Sequence, residues 1–418
     1  MKYLNLRPLV AILLCCVFAS CKEQSPKETS ALNFRGVDSL LNASVEQHHI
    51  PGAVAFVSHK GEPVFSKAFG YKNVQNATEM STKTLFRLAS MTKALTAVSI
   101  LQLAEKQQLD LQDPVKKYLP EFANPEILVE VHSDSSFTSQ PAENDITIHQ
   151  LLTHTSGIGY GFQNEEYNKI VLKNEVSEGF CEDARTSLEN TNKIAALPLL
   201  AEPGTTYIYS LSYDVLGTLI EVVSGQRYDG YVQEHILTPL GMSESYFTVP
   251  ENEQYRLASV YQPTEDNENI VFTTYEDIEY PTLTHRQFFS GGADLVATAE
   301  DYNKFLMMLV NQGSNGTEQL LQPSSVRLML SPQTPLGEDE SVQGFAAWMV
   351  NDKGAKNGLR PKGSYDFGGF FDTYCWVDPD RDFTAVLLLQ MYPTNAHDVH
   401  WEFQKSVYKS FEPLNTTL

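Results

Sequence analysis

Ser90, Met91, Thr92 and Lys93 open a long apolar segment and set a hydroxyl and an amine three residues apart. On a helix, residues at that spacing are neighbours, so the two groups share one face. A lysine shielded from water beside a serine has its charged form disfavoured, which lets it sit neutral and accept the serine proton. Such a pair is equipped for acyl transfer without histidine. Ser-x-x-Lys alone is a weak signal, because average composition yields roughly one or two by chance in a chain of this size. Ser406 to Lys409 is a second match. The elements that carry the residues must decide between them.

From Ala94 the chain reads Ala-Leu-Thr-Ala-Val-Ser-Ile-Leu-Gln-Leu-Ala-Glu. This is apolar nearly all round and predicts a buried central helix with Ser90 at its N-terminal turn. Such a turn offers free backbone N–H groups and the positive end of the helix dipole, both suited to an oxyanion. The plainer alternative has Ser90 only capping the helix and Lys93 reaching out to solvent.

Three motifs follow one another in the chain: Phe86-Arg-Leu-Ala-Ser90-Met-Thr-Lys93, Leu151-Leu-Thr-His154-Thr-Ser-Gly-Ile158 and Pro203-Gly-Thr-Thr-Tyr-Ile-Tyr209-Ser210. From about Val37 to the C-terminal helix, the chain resembles the serine hydrolases related to class C β-lactamases, D-Ala-D-Ala carboxypeptidases and β-lactamase-fold esterases. The resemblance implies an α/β (α+β) fold of the β-lactamase/transpeptidase type, with an antiparallel sheet flanked by helices and an inserted, mainly helical domain. It implies an active site at the interface, with Ser90 as nucleophile. In that family a Tyr-x-Asn turn brings a phenol to the serine; here the turn reads Tyr209-Ser210-Leu211, with Tyr207 a neighbouring competitor. Lys93 and Tyr209 would share the proton traffic. Leu211 replaces the asparagine of the penicillin-recognising members, so an amide contact is missing. Where those relatives carry Lys-Thr-Gly, this chain has Phe367-Gly368-Gly369-Phe370. The glycines let substrate approach the strand, and the Phe370 N–H would pair with that of Ser90 as an oxyanion hole. Phe367 in place of lysine removes the cation that would hold a substrate carboxylate. A neutral, partly apolar ester therefore fits better than a penicillin. Tyr160 and Phe162 are expected in a loop forming an aromatic pocket wall, with Tyr160 touching substrate. His154 is expected to lock a buried turn.

Both ends of the chain carry strand-like runs. Ala53 to Ser58 and Pro63 to Phe69 flank a glycine turn, and Ala346 to Val350, Phe371 to Val377 and Asp382 to Leu389 lie near the end. They predict one sheet domain from residues 33–85 and 286–418, with a mainly helical domain from 86–285. The polar stretches Val131 to Asn144 and Asn164 to Asp183 read as insertions at the rim of the helical domain, where they can cap a cleft. Ser290-Gly-Gly-Ala-Asp followed by Thr298-Ala-Glu-Asp301 reads as a turn and a capped helix.

With 418 residues, of which 42% are hydrophobic and 20% charged, the chain has ample material for a core. Lys2 and Arg7 precede the apolar run Leu9 to Phe18, which suits a secretory signal over residues 1–20. Phe18-Ala19-Ser20-Cys21 resembles a bacterial lipobox, which implies a lipidated Cys21 and a tether over 21–32. An exported lipoprotein held on a membrane at the periplasmic or cell-surface side is expected. The net charge of −22 becomes −24 once Lys2 and Arg7 leave with the signal, and it argues against nucleic acid as a partner. Of five cysteines, Cys181 and Cys375 remain in the folded part, too few for a disulfide framework. There is no His-Glu-x-x-His and no zinc-spaced cysteine pair, so neither metal nor organic cofactor is expected. The expected function is a serine hydrolase, foremost a carboxylesterase on a small-molecule ester. The alternatives are an amide or D-amino-acid peptide hydrolase, and a low-turnover envelope binding or sensor lipoprotein.

Overall fold

Ala53, Ala55 and Val57 are buried on one side of a strand, and Val54 and Phe56 on the other. A strand that is apolar on both faces has to be covered on both. This is β1 (Gly52–His59), which continues into β2 (Glu62–Asn73) and β3 (Thr78–Glu79). Five strands come from the far end of the chain: β4 (Ser341–Gln343), β5 (Trp348–Val350), β6 (Tyr365–Gly369), β7 (Thr373–Asp378) and β8 (Phe383–Leu388). They form one antiparallel sheet in the order β4-β5-β6-β7-β8-β1-β2-β3, in which Val54 of β1 stands opposite Leu388 of β8. The computed structural model describes residues 32–266, 269–274, 278–334, 341–358, 360–393 and 397–412. The signal segment, Cys21 and nearly all of the tether lie outside the described residues.

Helices of twelve or more residues are α1 (Arg35–Glu46), α2 (Thr92–Glu105), α3 (Ser212–Ser224), α4 (Ala299–Val310) and α5 (His397–Ser410). Val37 and Leu41 of α1 join Phe403 and Val407 of α5 against Ala53, Ala55, Trp376 and Leu387. On the other face, Phe305 and Leu306 of α4 and the apolar residues of α2 join Val54, Phe56, Val386 and Leu388. Each fully buried side chain of this kind stabilises the fold by about 1.5–3 kcal/mol relative to exposure.

Helix α2 is buried at every position from Thr92 to Leu103. Its polar side chains all have internal partners. The Thr96 hydroxyl donates to Gly291 O at 2.6 Å, Ser99 Oγ to Leu95 O at 2.9 Å, and Gln102 Nε2 to Leu320 O at 3.0 Å. Burial without unpaired groups makes α2 a fixed axis for what sits at its N-terminus. Two strand boundaries differ from the sequence reading. Ala346 takes a left-handed conformation (φ 61°), so β5 begins at Trp348. Asp372 does the same (φ 64°) in a turn after Gly369, which delays β7 to Thr373. The stretch from Val131 ends a hairpin of Glu126–Val131 with Phe137–Pro141, and helix Glu165–Lys173 forms within the second polar stretch.

Candidate active site

The approach to Ser90 is built by a short sheet in which Phe86–Arg87 pairs with Val296–Ala297, itself paired with Ser245–Tyr246. The buried Arg87 guanidinium donates to Ala258 O at 2.9 Å and to Ile278 O, and the Leu88 N–H donates to Leu295 O at 2.9 Å. Ala89 then turns the chain in a left-handed conformation (φ 46°), a costly corner for a residue with a side chain. Ser90 lies in the 3-10 turn Ala89–Met91 that runs directly into α2.

Two side chains converge on its hydroxyl. Lys93 Nζ donates to Ser90 Oγ at 3.1 Å, and Tyr209 OH donates to the same oxygen at 2.7 Å. Lys93 is 3% exposed, so the solvent-facing alternative does not hold. Its amine also donates to Gly292 O at 2.9 Å and to Tyr160 OH at 3.4 Å, and it lies 4.7 Å from the centre of the Tyr209 ring. Tyr207 is not the partner, because its ring packs edge-on against Trp348 at 5.9 Å. Ser406 and Lys409 lie on α5, where Lys409 is exposed; that second Ser-x-x-Lys has no buried setting.

His154 is fully buried in a left-handed turn (φ 54°), where its Nδ1 accepts from the Ser210 N–H at 3.2 Å. Burial, and then the neighbouring Lys93 charge, hold the imidazole well below its usual range. It is neutral and shapes the Tyr209 turn, with the rings 4.6 Å apart. Burial, followed by the Asp214 charge, pushes the Tyr160 phenol up, so Tyr160 is a hydrogen-bonding wall beside Lys93. Phe162 packs against it with ring centres 4.8 Å apart and is exposed.

Ser90 opens into a cleft of about 1100 Å³ that Tyr160, Phe162, Tyr209, Gly368, Gly369 and Phe370 all line. A Cβ on Gly369 would sit 2.2 Å from Leu88 O, so only glycine lets β6 come this close to the residues before Ser90. Two expected substrate contacts are corrected. Leu211 is fully buried in the main core just before α3 and is not on the cleft wall. Phe367 is 2% exposed and lines a small adjoining cavity of about 40 Å³ shared with Ser90, Lys93, His154 and Tyr209 instead of the large cleft. Cys181 and Cys375 are free and buried.

Other cleft residues gave no sequence signal. Glu178, Phe180 and Glu182 come from the second polar stretch, and Asp372, His400 and Trp401 close the far end. His400 Nε2 lies 2.7 Å from Asp372 Oδ1, tying α5 to the turn after β6. Burial raises the Glu178 carboxyl above its usual range. The turn expected at Ser290 lies behind Lys93 together with Asp214, which gave no sequence signal.

The profile of the Beta-lactamase family matches residues 37–409. Protein Rv1367c of Mycobacterium tuberculosis is 28% identical over 88% of this chain and 92% of its own length. Esterase EstB of Burkholderia gladioli is 27% identical over 84% of this chain and 89% of its own. Among solved structures, EstCE1, described as a hydrolase with promiscuous acyltransferase activity, superposes with a TM-score of 0.76 at 23% identity, covering 90% of this chain and 98% of that one. The match spans nearly the whole described chain: the chain belongs to the beta-lactamase family, and the esterase of Burkholderia gladioli resembles this chain over most of its length.

Proposed function

We propose that the protein is a carboxylesterase that cleaves neutral esters through an acyl-enzyme on Ser90. The observation that carries this reading is the double donation to Ser90 Oγ, from Lys93 at 3.1 Å and Tyr209 at 2.7 Å, at the edge of an aromatic cleft. Ser90 Oγ attacks the ester carbonyl carbon while its proton passes to the Lys93–Tyr209 pair. The oxyanion is received by the backbone N–H groups of Ser90 and Phe370. Collapse breaks the bond to the alkoxide, which takes its proton back through Tyr209, and water then releases the acid from Ser90.

The cleft lining supports a neutral substrate. It includes Glu178, Glu182 and Asp372 and, among the described residues, no lysine or arginine. A substrate carboxylate lying along this lining would meet acidic side chains and no lysine or arginine. Phe162, Phe180, Phe370 and Trp401 offer apolar area. The volume exceeds what a short-chain ester fills and leaves room for a bulkier apolar portion. EstB, an esterase by name, is similar over most of both chains and supports the same chemistry.

The test compares kcat/KM for neutral nitrophenyl esters with that for a chromogenic cephalosporin and for D-Ala-D-Ala peptides. Loss of charge-assisted contacts should favour the esters by at least about 100-fold. Efficient cephalosporin or peptide hydrolysis with slow ester turnover would select the amide-hydrolase alternative.

A further inference from the structure

Behind Lys93 lies a carboxylate to which the proposed mechanism gives no role. Asp214 sits in the first turn of α3 and is 1% exposed. Its Oδ1 accepts from Ser290 Oγ, and its Oδ2 has no hydrogen-bond partner among the described residues. The Ser290 hydroxyl also accepts from the Gly292 N–H at 3.1 Å, while the carbonyl of Gly292 accepts from Lys93 at 2.9 Å. One short turn thus holds the acid on one side and the lysine on the other. A Cβ built on Gly292 would lie 3.2 Å from Asp214 Oδ2 and 3.4 Å from Lys93 Nζ. The orphan oxygen and the amine therefore both border the space beside Gly292, without forming a direct ion pair. A buried carboxylate with one oxygen left without a hydrogen bond is expensive, and a bland structural role would be met better by an amide.

We propose that Asp214 is a positioning residue for proton transfer: its carboxylate, fixed by Ser290, supplies a negative charge across Gly292 that stabilises the proton on the Lys93–Tyr209 pair when Ser90 gives it up. The inference rests on the reading of Lys93 and Tyr209 as proton carriers for Ser90. The charged and titratable groups around Asp214 are few. Lys93 faces it from α2, Tyr160 from the cleft loop, and Tyr228 from the helix after α3, where its phenol is engaged with the Thr96 hydroxyl at 2.6 Å. Asp294, from the turn after Gly292, is neutralised by the equally buried Arg286. Lys93 itself also borders Tyr209, Tyr213 and the neutral His154. Asp214 is thus the carboxylate best placed to act on the amine. Burial raises its carboxyl to about 6, so the charge switches on just below neutral pH.

The experiment measures kcat/KM for a neutral nitrophenyl ester, and the rate of Ser90 labelling by a fluorophosphonate, from about pH 5 to about pH 9. Wild type is compared with Asp214→Asn, which keeps an acceptor for Ser290 without the charge. Ser290→Ala, which frees the carboxylate from its anchor, is the second variant. With the charge removed, the pair should lose its proton more readily, so the rising limb of both profiles should move to lower pH by about one unit or more in Asp214→Asn. Ser290→Ala should move it in the same direction, and it decides the matter if Asp214→Asn fails to fold. Profiles that keep the wild-type midpoint and differ only in height would overturn the proposal and leave Asp214 a structural residue. Wild type that neither turns over esters nor takes the label at any pH would instead overturn the hydrolase reading, and this inference with it.

Discussion

Asp214 makes a second commitment, in stability, that is independent of turnover. Below the ordinary carboxylate range the group is neutral in folded and unfolded chains alike and has no effect. Between about pH 4 and about pH 6 the unfolded chain ionises it first, because burial raises the folded value from 3.8 to about 6. Stability therefore falls as pH rises through that window, and the penalty stays constant above it. Asp214→Asn should be more stable than wild type by on the order of 3 kcal/mol at pH 8 and level with it at pH 4, read as urea midpoints. Equal differences at both pH values would contradict this. An acid within a largely apolar helix carries no sign in the sequence of which side it faces, and so Asp214 went unread. Ser90 and Lys93 were legible because both lie on one continuous helical turn, where spacing alone sets the geometry. Leu211 was misplaced for a related reason: a motif position fixes the backbone turn, while the side chain followed the apolar core.

Between elements, the constraint that bears on the site is where the end of β6 meets the chain before Ser90. A Cβ on Gly369 would lie 2.2 Å from both Leu88 O and Thr373 Oγ1, whereas one on Gly368 would have nothing nearer than 3.8 Å. Gly369→Ala must push the strand away from the serine corner. It should lower kcat/KM by at least about 10-fold and stability by about 1–3 kcal/mol. Gly368→Ala should leave the thermal midpoint unchanged, and a similar loss in both variants would remove the argument. The sheet itself was readable from strand-like apolar runs at both chain ends, and α2 from its unbroken apolar content. The outer half of the cleft was not. Glu178, Phe180 and Trp401 sit in a polar stretch and on a terminal helix, and only tertiary docking turns them toward Ser90. No local pattern encodes that docking.

For the whole molecule, a strongly acidic chain of net charge −22 with an acid-lined cleft favours neutral partners over anionic ones. No helix among the described residues is long and apolar enough to cross a membrane. The proposed anchor is instead lipid on Cys21. Full-length precursor made in a bacterial host should enter the membrane fraction and incorporate labelled fatty acid, and Cys21→Ser should not. Recovery of cleaved, unlabelled wild type in the periplasm would reject the anchor and leave the site untouched. The claim on which the account rests is covalent chemistry at one oxygen. It is tested most directly by treating the folded protein with a fluorophosphonate, mapping the adduct by peptide mass spectrometry, and measuring ester hydrolysis in Ser90→Ala. The account expects a single adduct on Ser90 and a loss of turnover of several orders of magnitude in a variant that still folds. An adduct on another residue, or ester hydrolysis persisting in clean Ser90→Ala protein, would contradict it.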